Sequence, residues 1–151
     1  SLKDVEFIEC GDSFTFCKTL NNEVYSWGFN TYGQLGQGNT KSINIPTKCM
    51  DVCNEIIVDI KCGSNHTLML TSKRELLSCG YNFFGQLGLD TNVKQVLFQK
   101  SVTPLEIVRI ECGKFHSLVI NINNDLYVFG MNECGQLGLG DKNNRYKPIK
   151  H

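Results

Sequence analysis

The 151-residue sequence lacks the features that mark membrane proteins, secreted proteins and proteins with a general affinity for polyanions. Fifteen Lys and Arg residues balance fifteen Asp and Glu residues, so the chain offers no basic field that would support nucleic-acid binding. No run of about 18 apolar residues is present, and we expect no contact with a membrane. Residues 1–4 do not resemble a signal peptide, which favours an intracellular protein, cytoplasmic or nuclear.

Motifs of catalysis and of cofactor binding are missing as well. The eight cysteines include no Cys-x-x-Cys pair and form no cluster with histidine at zinc spacing. No serine lies in a Gly-x-Ser-x-Gly elbow, and no glycine-rich stretch ends in the Gly-Lys-Ser/Thr of a phosphate-binding loop. The sequence therefore predicts no enzyme: no catalytic residue, no bound metal and no cofactor.

The sequence does contain three copies of one glycine-rich stretch, here called the glycine phrase. It is GFNTYGQLGQG from Gly28, GYNFFGQLGLD from Gly80 and GMNECGQLGLG from Gly130, in steps of 52 and 50 residues. A Cys-Gly pair lies 18 residues before each copy, at residues 10, 62 and 112. Two patterns in register three times predict a tandem repeat whose units bury one another's apolar surfaces.

Apolar and β-branched residues in the second repeat predict strands at residues 57–62, 66–70 and 76–79. A fourth short strand is expected near residues 46–50 of the first repeat. Four antiparallel strands in about 50 residues, without a helical pattern, indicate the blade of a β-propeller. We predict an all-β chain of three four-stranded antiparallel blades, at residues 1–55, 56–105 and 106–151. Together they form one partial propeller domain, or a propeller that copies complete by association.

The glycine phrase predicts turns rather than a ligand site. Closely spaced glycines indicate positive φ angles or close backbone approach. We expect the asparagines to form Asx turns and the glutamine amides to connect one turn with the next. The residues with this structural role are Gly28, Asn30, Gly33, Gln34, Gly36, Gly80, Asn82, Gly85, Gln86, Gly88, Gly130, Asn132, Gly135, Gln136 and Gly138. His66 and His116 share one repeat position, so each is expected to bond with the backbone of its own blade.

Cysteine positions also follow the repeat. Cys10, Cys62 and Cys112 are equivalent, which is typical of a small buried packing residue. Cys17 and Cys79 align with apolar residues of the other repeats. We therefore predict eight reduced thiols, which agrees with an intracellular location.

Both repeated patterns resemble the repeat of the regulator of chromosome condensation family. That repeat combines Gly-x-Asn-x-x-Gly-Gln-Leu-Gly with an upstream Cys/Ala-Gly-x-x-His-x-Leu, present here as CGSNHTL at 62–68 and CGKFHSL at 112–118. Phe14 replaces the histidine of the first copy, Cys79 replaces an aromatic residue and Asp90 replaces the last glycine. The resemblance implies a seven-bladed propeller. Because three blades leave both ends uncovered, we expect a longer natural protein or a homo-oligomer.

The sequence favours a protein interaction scaffold, in which variable loops on a rigid framework bind another protein. The unusually apolar segment 90–104 supplies candidate contact residues, which are Val93, Val96, Leu97 and Phe98. A basic tail is either a solvated chain end or a docking patch for an acidic partner. It contains Lys142, Arg145 and Lys147.

The family resemblance implies an alternative function, guanine-nucleotide exchange on a Ran-type small GTPase with chromatin association. No residue of an exchange surface can be assigned in this sequence. A third option is that the repeats are an accessory domain of a larger kinase or ubiquitin ligase.

Overall fold

The structure, a computed structural model, describes residues 2–151, and within them twelve strands form three four-stranded antiparallel sheets. Blade 1 contains β1 (Val5–Cys10), β2 (Phe14–Thr19), β3 (Val24–Gly28) and β4 (Ile43–Lys48). Blade 2 contains β5 (Ile57–Cys62), β6 (His66–Thr71), β7 (Leu76–Gly80) and β8 (Gln95–Lys100). Blade 3 contains β9 (Ile107–Cys112), β10 (His116–Asn121), β11 (Leu126–Gly130) and β12 (Arg145–Lys150). The predicted all-β architecture of propeller blades is confirmed. One 3₁₀ helix, Met50–Val52, follows β4. No helix of residues 2–151 has the length and apolar character to cross a membrane.

Each blade has two distinct ends, because consecutive strands are neighbours in the sheet. In blade 1, Phe14 lies opposite Gly28, and Lys18 lies opposite Val24. The glycine phrase and the turn between the first two strands therefore lie at one end, here called the glycine end. The hairpin between the second and third strands lies at the other, here called the hairpin end. Blades 2 and 3 repeat this register.

The fourth strands differ from the sequence prediction. We expect a strand near residues 46–50, but β4 ends at Lys48 and Met50 begins the 3₁₀ helix. In blade 2 the equivalent strand β8 occupies residues that the sequence predicts as loop. The physical reason is pairing: Gly80 lies opposite Gln95, after a register shift in β7 that the local sequence of β8 does not reveal.

Two apolar cores lie between the blades. The core between blades 1 and 2 includes Phe16, Leu35, Ile60, Met69 and Phe98. The core between blades 2 and 3 includes Leu68, Leu70, Ile110, Val119 and Phe129. Because blade 2 packs against a neighbour on each face, all six residues of β6 are buried. Each fully buried aliphatic side chain contributes about 1.5–3 kcal/mol of transfer free energy, so the joints dominate stability.

The outer faces of blades 1 and 3 expose side chains that are buried at equivalent positions of their neighbours. Ile8 of β1 is 64% exposed, whereas the equivalent Ile60 of β5 is 1% exposed. On blade 3, Leu118 is half-buried, whereas the equivalent Leu68 of blade 2 is fully buried. Each outer face therefore has the surface of a blade joint without a neighbouring blade among residues 2–151.

All eight cysteines are free thiols. Cys49 and Cys79 are buried, and burial raises the pKa of the Cys49 thiol to about 12. The prediction that Cys10 is buried is wrong, because it is exposed, while the equivalent Cys62 and Cys112 are half-buried. These three residues end the first strands and line a groove of about 400 Å³. Cys10 is exposed because no blade formed by residues 2–151 covers the outer side of β1.

Candidate protein-binding surface

The asparagine of the glycine phrase closes the loop that follows the third strand. Asn30 Nδ2 donates to the carbonyls of Asn39 and Lys41, both at 3.0 Å, and its Oδ1 accepts from the N–H of Leu35 at 3.0 Å. Asn82 and Asn132 make equivalent bonds, and all three are fully buried. The expectation of short Asx turns is wrong, since the side chains of Asn30 and Asn82 reach across the loop to Lys41 and Val93, and that of Asn132 reaches Asp141.

A glycine in the same phrase allows one blade to lie against the fourth strand of the next. Gly85 has a φ of 85°, and a β-carbon there would lie 2.5 Å from the Cα of Tyr146 in blade 3. Gly33 approaches the Cα of Val96 in blade 2 in the same way, at 2.7 Å. Gly135 has a φ of 77°, yet no atom of residues 2–151 beyond its chain neighbours lies within 4 Å of its β-carbon position. Gly135 therefore lies at a position that contacts the next blade in blades 1 and 2 but makes no such contact in blade 3.

Gln34 links blades 1 and 2 through its amide. Its Oε1 accepts from the N–H of Tyr32 at 3.0 Å, and its Nε2 donates to Asn65 Oδ1 of blade 2 at 3.2 Å. Gln86 repeats the first bond, but Phe115 occupies the position equivalent to Asn65. Its Nε2 is buried without a hydrogen-bond partner among residues 2–151. The amide link is thus present at one joint and absent at the other.

His66 joins blades 2 and 3, so the prediction of a bond within its own blade is wrong. The hydroxyl of Ser117 donates to the Gln86 carbonyl at 2.8 Å, and its oxygen therefore accepts from His66 Nε2–H at 3.0 Å. His66 Nδ1 has no partner among the described residues. Complete burial, with a smaller effect of His116, lowers the pKa of His66 to about 3. The imidazole is therefore neutral at physiological pH. Burial also lowers the pKa of His116, which is half-buried in blade 3.

Variable positions of the glycine phrase, together with Phe115 in the turn between β9 and β10, build a continuous aromatic surface at the glycine end. The ring centroids of Tyr32 in blade 1 and Tyr81 in blade 2 are 4.8 Å apart. Those of Phe84 in blade 2 and Phe115 in blade 3 are 5.6 Å apart. The surface, here called the aromatic strip, consists of Phe29, Tyr32, Tyr81, Phe83, Phe84 and Phe115.

Two members of the aromatic strip are open to solvent. Phe83 is 58% exposed and Phe29 is also exposed, whereas the other four rings are half-buried at the blade joints. Glu133 occupies the position of blade 3 that is equivalent to Phe83, so the strip ends at Phe115. The sequence does not predict this surface, because the rings lie where the copies differ. The aromatic character of the variable positions is the signal that could have found it.

Two lysines without a carboxylate partner flank the aromatic strip. Lys94 Nζ donates to the carbonyl of Thr31 at 3.4 Å, and with Tyr32, Tyr81 and Phe83 the lysine lines a pocket of about 250 Å³. Lys114 Nζ lies 5.5 Å from the ring centroid of Phe115, a cation–π distance. Among residues 2–151 neither ammonium group is in an ion pair. Both charges are therefore available to a partner.

The four candidate contacts of segment 90–104 do not form one exposed patch. The prediction that Phe98 lies in an exposed loop is wrong: it is a buried residue of β8, with its ring centroid 6.3 Å from that of Phe16. Val96 is half-buried beneath the glycine phrase of blade 1, and only Val93 and Leu97 are exposed. The alternation of β8 sends its apolar side chains to different surfaces.

The basic tail is largely neutralised by neighbouring carboxylates. Arg145 Nη2 lies 2.6 Å from Asp141 Oδ2, and Lys147 Nζ lies 3.8 Å from Asp90 Oδ2 of blade 2. Lys142 is exposed and has no ion pair among residues 2–151. In that described range, no group of three or more His, Cys, Asp and Glu side chains could hold a metal ion.

Three propeller blades joined through repeated glycine phrases define a repeat-built propeller protein. The profile of the Regulator of chromosome condensation (RCC1) repeat matches residues 21–70, 75–120 and 123–151. A second profile of the same description matches residues 5–34, 57–86 and 107–136. The chain therefore belongs to the regulator of chromosome condensation repeat family.

Relatives of this chain are much longer than the matched region. Serine/threonine-protein kinase Nek9 of Mus musculus is 41% identical over 87 residues, which are 57% of this chain and 9% of the relative. Protein RCC2 of Homo sapiens is 41% identical over 78 residues, which are 52% of this chain and 15% of the relative. The chain thus spans a small part of the length of these curated relatives.

A solved structure shows the same fold over almost the whole chain. Prp20p from Saccharomyces cerevisiae aligns with a TM-score of 0.91 and 24% sequence identity, covering 99% of this chain and 39% of its own. At this identity the similarity establishes the fold alone.

Proposed function

We propose that this chain is part of a repeat-built scaffold that binds another protein at the glycine end of its blades. The aromatic strip is the observation that carries this proposal. In blades 1 and 2 the residues shared by the glycine phrases lie at the joints and are largely buried, whereas the rings of the aromatic strip adjoin one another across three blades. Clustered exposed aromatic residues are typical of protein interfaces. We also propose 1–55, 56–105 and 106–151 as the structural units, and an intracellular location in which free thiols persist.

Affinity capture with a matched pair of variants tests the scaffold function. Phe83→Ser removes an exposed ring from the aromatic strip, and Leu20→Ser removes an exposed apolar side chain at the hairpin end. Mass spectrometry should identify proteins that the wild type and Leu20→Ser retain and that Phe83→Ser loses. If all three baits retain the same proteins, the glycine end is not the binding surface. A double replacement of Val93 and Leu97 with Ser tests the remaining exposed contacts of segment 90–104.

We further propose that the isolated chain associates with a second copy through its outer faces. The outer face of blade 1 presents Ile8, and the outer face of blade 3 presents Leu118 and the unused contact at Gly135. These two faces are equivalent to the two sides of the existing blade joints. A contact between them would bury the exposed apolar side chains in an arrangement already present twice in the chain.

Light scattering measures this association directly. The wild type should show twice the 17.0 kDa mass of one chain at micromolar concentration. Ile8→Glu should shift the mass to that of one chain, since it places a charge on the outer face of β1. Lys73→Glu, at the hairpin end, is the control and should not change the mass. A monomeric wild type with a cooperative melt would refute the proposal.

Nucleotide exchange on a Ran-type GTPase, with chromatin association, remains the alternative to a passive scaffold. Prp20p is described with binding properties to Gsp1p and histones, and its fold is that of this chain. A labelled-nucleotide release assay with the full-length protein separates the two functions. Accelerated release favours exchange, whereas unchanged release favours the scaffold.

A further inference from the structure

We propose that the aromatic strip binds an extended acidic peptide segment with apolar anchor side chains. This inference rests on the proposed scaffold function and specifies the chemistry of its partner. The supporting observations are the pocket within the strip, the exposed rings beside it and the two unpaired lysines at its edges.

The pocket at the joint of blades 1 and 2 has the dimensions of an anchor site. Its volume is about 250 Å³, and Tyr32, Tyr81 and Phe83 supply aromatic walls. Tyr32 and Tyr81 are held by packing between the blades, with ring centroids 4.8 Å apart. Rings that are fixed before binding lose little conformational entropy when a partner docks. An apolar side chain of a partner would therefore find a preformed site.

Charge selects an acidic partner. Lys94 lies beside the pocket, and Lys114 lies over Phe115 at the other edge of the strip. Neither ammonium group has a carboxylate partner among residues 2–151, although ten other ion pairs occur there. If an apolar side chain of the partner occupies the pocket, carboxylates on either side of it would lie near Lys94 and Lys114 at the edges of the aromatic strip. Such electrostatic complementarity improves the association rate and the specificity of binding. Glu133 disfavours an acidic segment beyond Phe115 and so limits its path.

A peptide fits these observations better than single-stranded nucleic acid does. Stacking platforms for nucleic acid are combined with a positively charged groove that follows the phosphates. This chain has no net charge, and within residues 2–151 two lysines without an ion pair, Lys94 and Lys114, flank the aromatic strip. Two point charges match a few carboxylates but not a phosphate backbone.

Fluorescence anisotropy with the full chain tests the proposal. The probe is a labelled peptide of about ten residues that alternates Asp or Glu with Phe or Leu and extends to about 33 Å. Control peptides replace the carboxylates with amides or the apolar residues with Ser, and oligothymidine represents nucleic acid. The acidic apolar peptide should bind at least about tenfold more tightly than either control peptide.

Variants of the chain test whether the peptide binds at the aromatic strip. Phe83→Ser should weaken the acidic apolar peptide by about tenfold, and combined replacement of Lys94 and Lys114 with Glu should weaken it similarly and reduce its salt dependence. Leu20→Ser and Lys73→Glu, at the hairpin end, are matched controls and should bind like the wild type. Equal binding of the acidic and amide peptides, insensitivity to the strip variants or tighter binding of oligothymidine would overturn the proposal. Circular dichroism melts confirm that each variant is folded.

The outcomes distinguish this inference from the scaffold function itself. If the peptide fails to bind while affinity capture still depends on Phe83, the proposed peptide chemistry is wrong and the scaffold stands. If the peptide binds at the strip while capture retains no partner, the chemistry stands and the scaffold function fails.

Discussion

Replacing His66 with Phe removes a proton-sensitive group from the joint between blades 2 and 3. Blade 1 carries Phe14 at the equivalent position, so the blade architecture accepts this side chain. Ser117 keeps its bond to the carbonyl of Gln86 in the variant, because the hydroxyl donates that hydrogen bond. The main difference is then that the wild type has a buried imidazole that resists protonation, whereas His66→Phe has none.

The magnitude follows from proton linkage. The pKa of His66 is about 3 in the folded chain, compared with 6.5 for an unperturbed histidine. Because the folded pKa is the lower one, the unfolded chain binds the proton first. The contribution to stability is fully present above about pH 6.5 and is lost as the pH falls towards 3. Between pH 7 and pH 5 the expected loss is about 2 kcal/mol.

Urea unfolding, followed by the fluorescence of the single tryptophan, measures this difference. The free energy of unfolding of the wild type should fall by about 2 kcal/mol more between pH 7 and pH 5 than that of His66→Phe. Leu20→Ser is the control, because Leu20 is exposed at the hairpin end and its replacement adds or removes no ionisable group. Equal losses in the wild type and His66→Phe would refute the reasoning, as would protonation of folded His66 near pH 6 in an NMR titration.

Three further predictions concern the joints and the thiols. Phe115→Asn should raise the free energy of unfolding by about 1 kcal/mol in urea titrations, because it gives the buried Nε2 of Gln86 an acceptor; an unchanged value would show that this amide is satisfied in another way. In the Ile8→Glu background, where Gly135 has no second copy to contact, Gly85→Val should destabilise the protein by about 1–3 kcal/mol or more, and by more than Gly135→Val, because both positions have positive φ but only Gly85 contacts the next blade. Equal melting temperatures for these two variants would contradict that contact. Thiol titration of the native protein should give three fast groups, the exposed cysteines, and the other five should react only after unfolding; fewer than eight groups in the unfolded protein would reveal a disulfide.

The strands that a blade forms by itself could be predicted from the sequence. Strand β5 occupies the predicted residues 57–62, because alternation of apolar residues and flanking turn residues are local signals. The fourth strands could not be placed in this way. Strand β8 pairs with β7 on both sides of a register shift between Ser78 and Gly80, and this pairing makes Phe98 a core residue of a segment without a strand pattern.

Burial depends on the neighbouring blade as well as on the repeat position. Cys10 and Cys112 are equivalent in sequence, yet the first is exposed and the second is half-buried. The exposed fractions of Ile8 and Ile60, which are also equivalent in the repeat, differ still more. An alignment of the repeats predicts the same burial for all residues at one repeat position. In the structure, burial also depends on whether a neighbouring blade covers that residue. Such differences can be predicted only when the order and the ends of the blades are known.

Contacts between blades join positions that are not equivalent in the repeat, and this explains why the joints and the candidate surface escape prediction. Gln34 meets Asn65 at the first joint, and Phe115 replaces that partner at the second. The same substitution leaves Gln86 Nε2 buried without a hydrogen-bond partner among residues 2–151 and adds a ring to the aromatic strip through contact with Phe84. A residue that leaves a buried amide without a partner while it extends an exposed surface is expected where binding rather than packing constrains the residue. The scaffold proposal therefore predicts two effects of Phe115→Asn. The variant should be more stable than the wild type, and it should bind the acidic peptide less tightly.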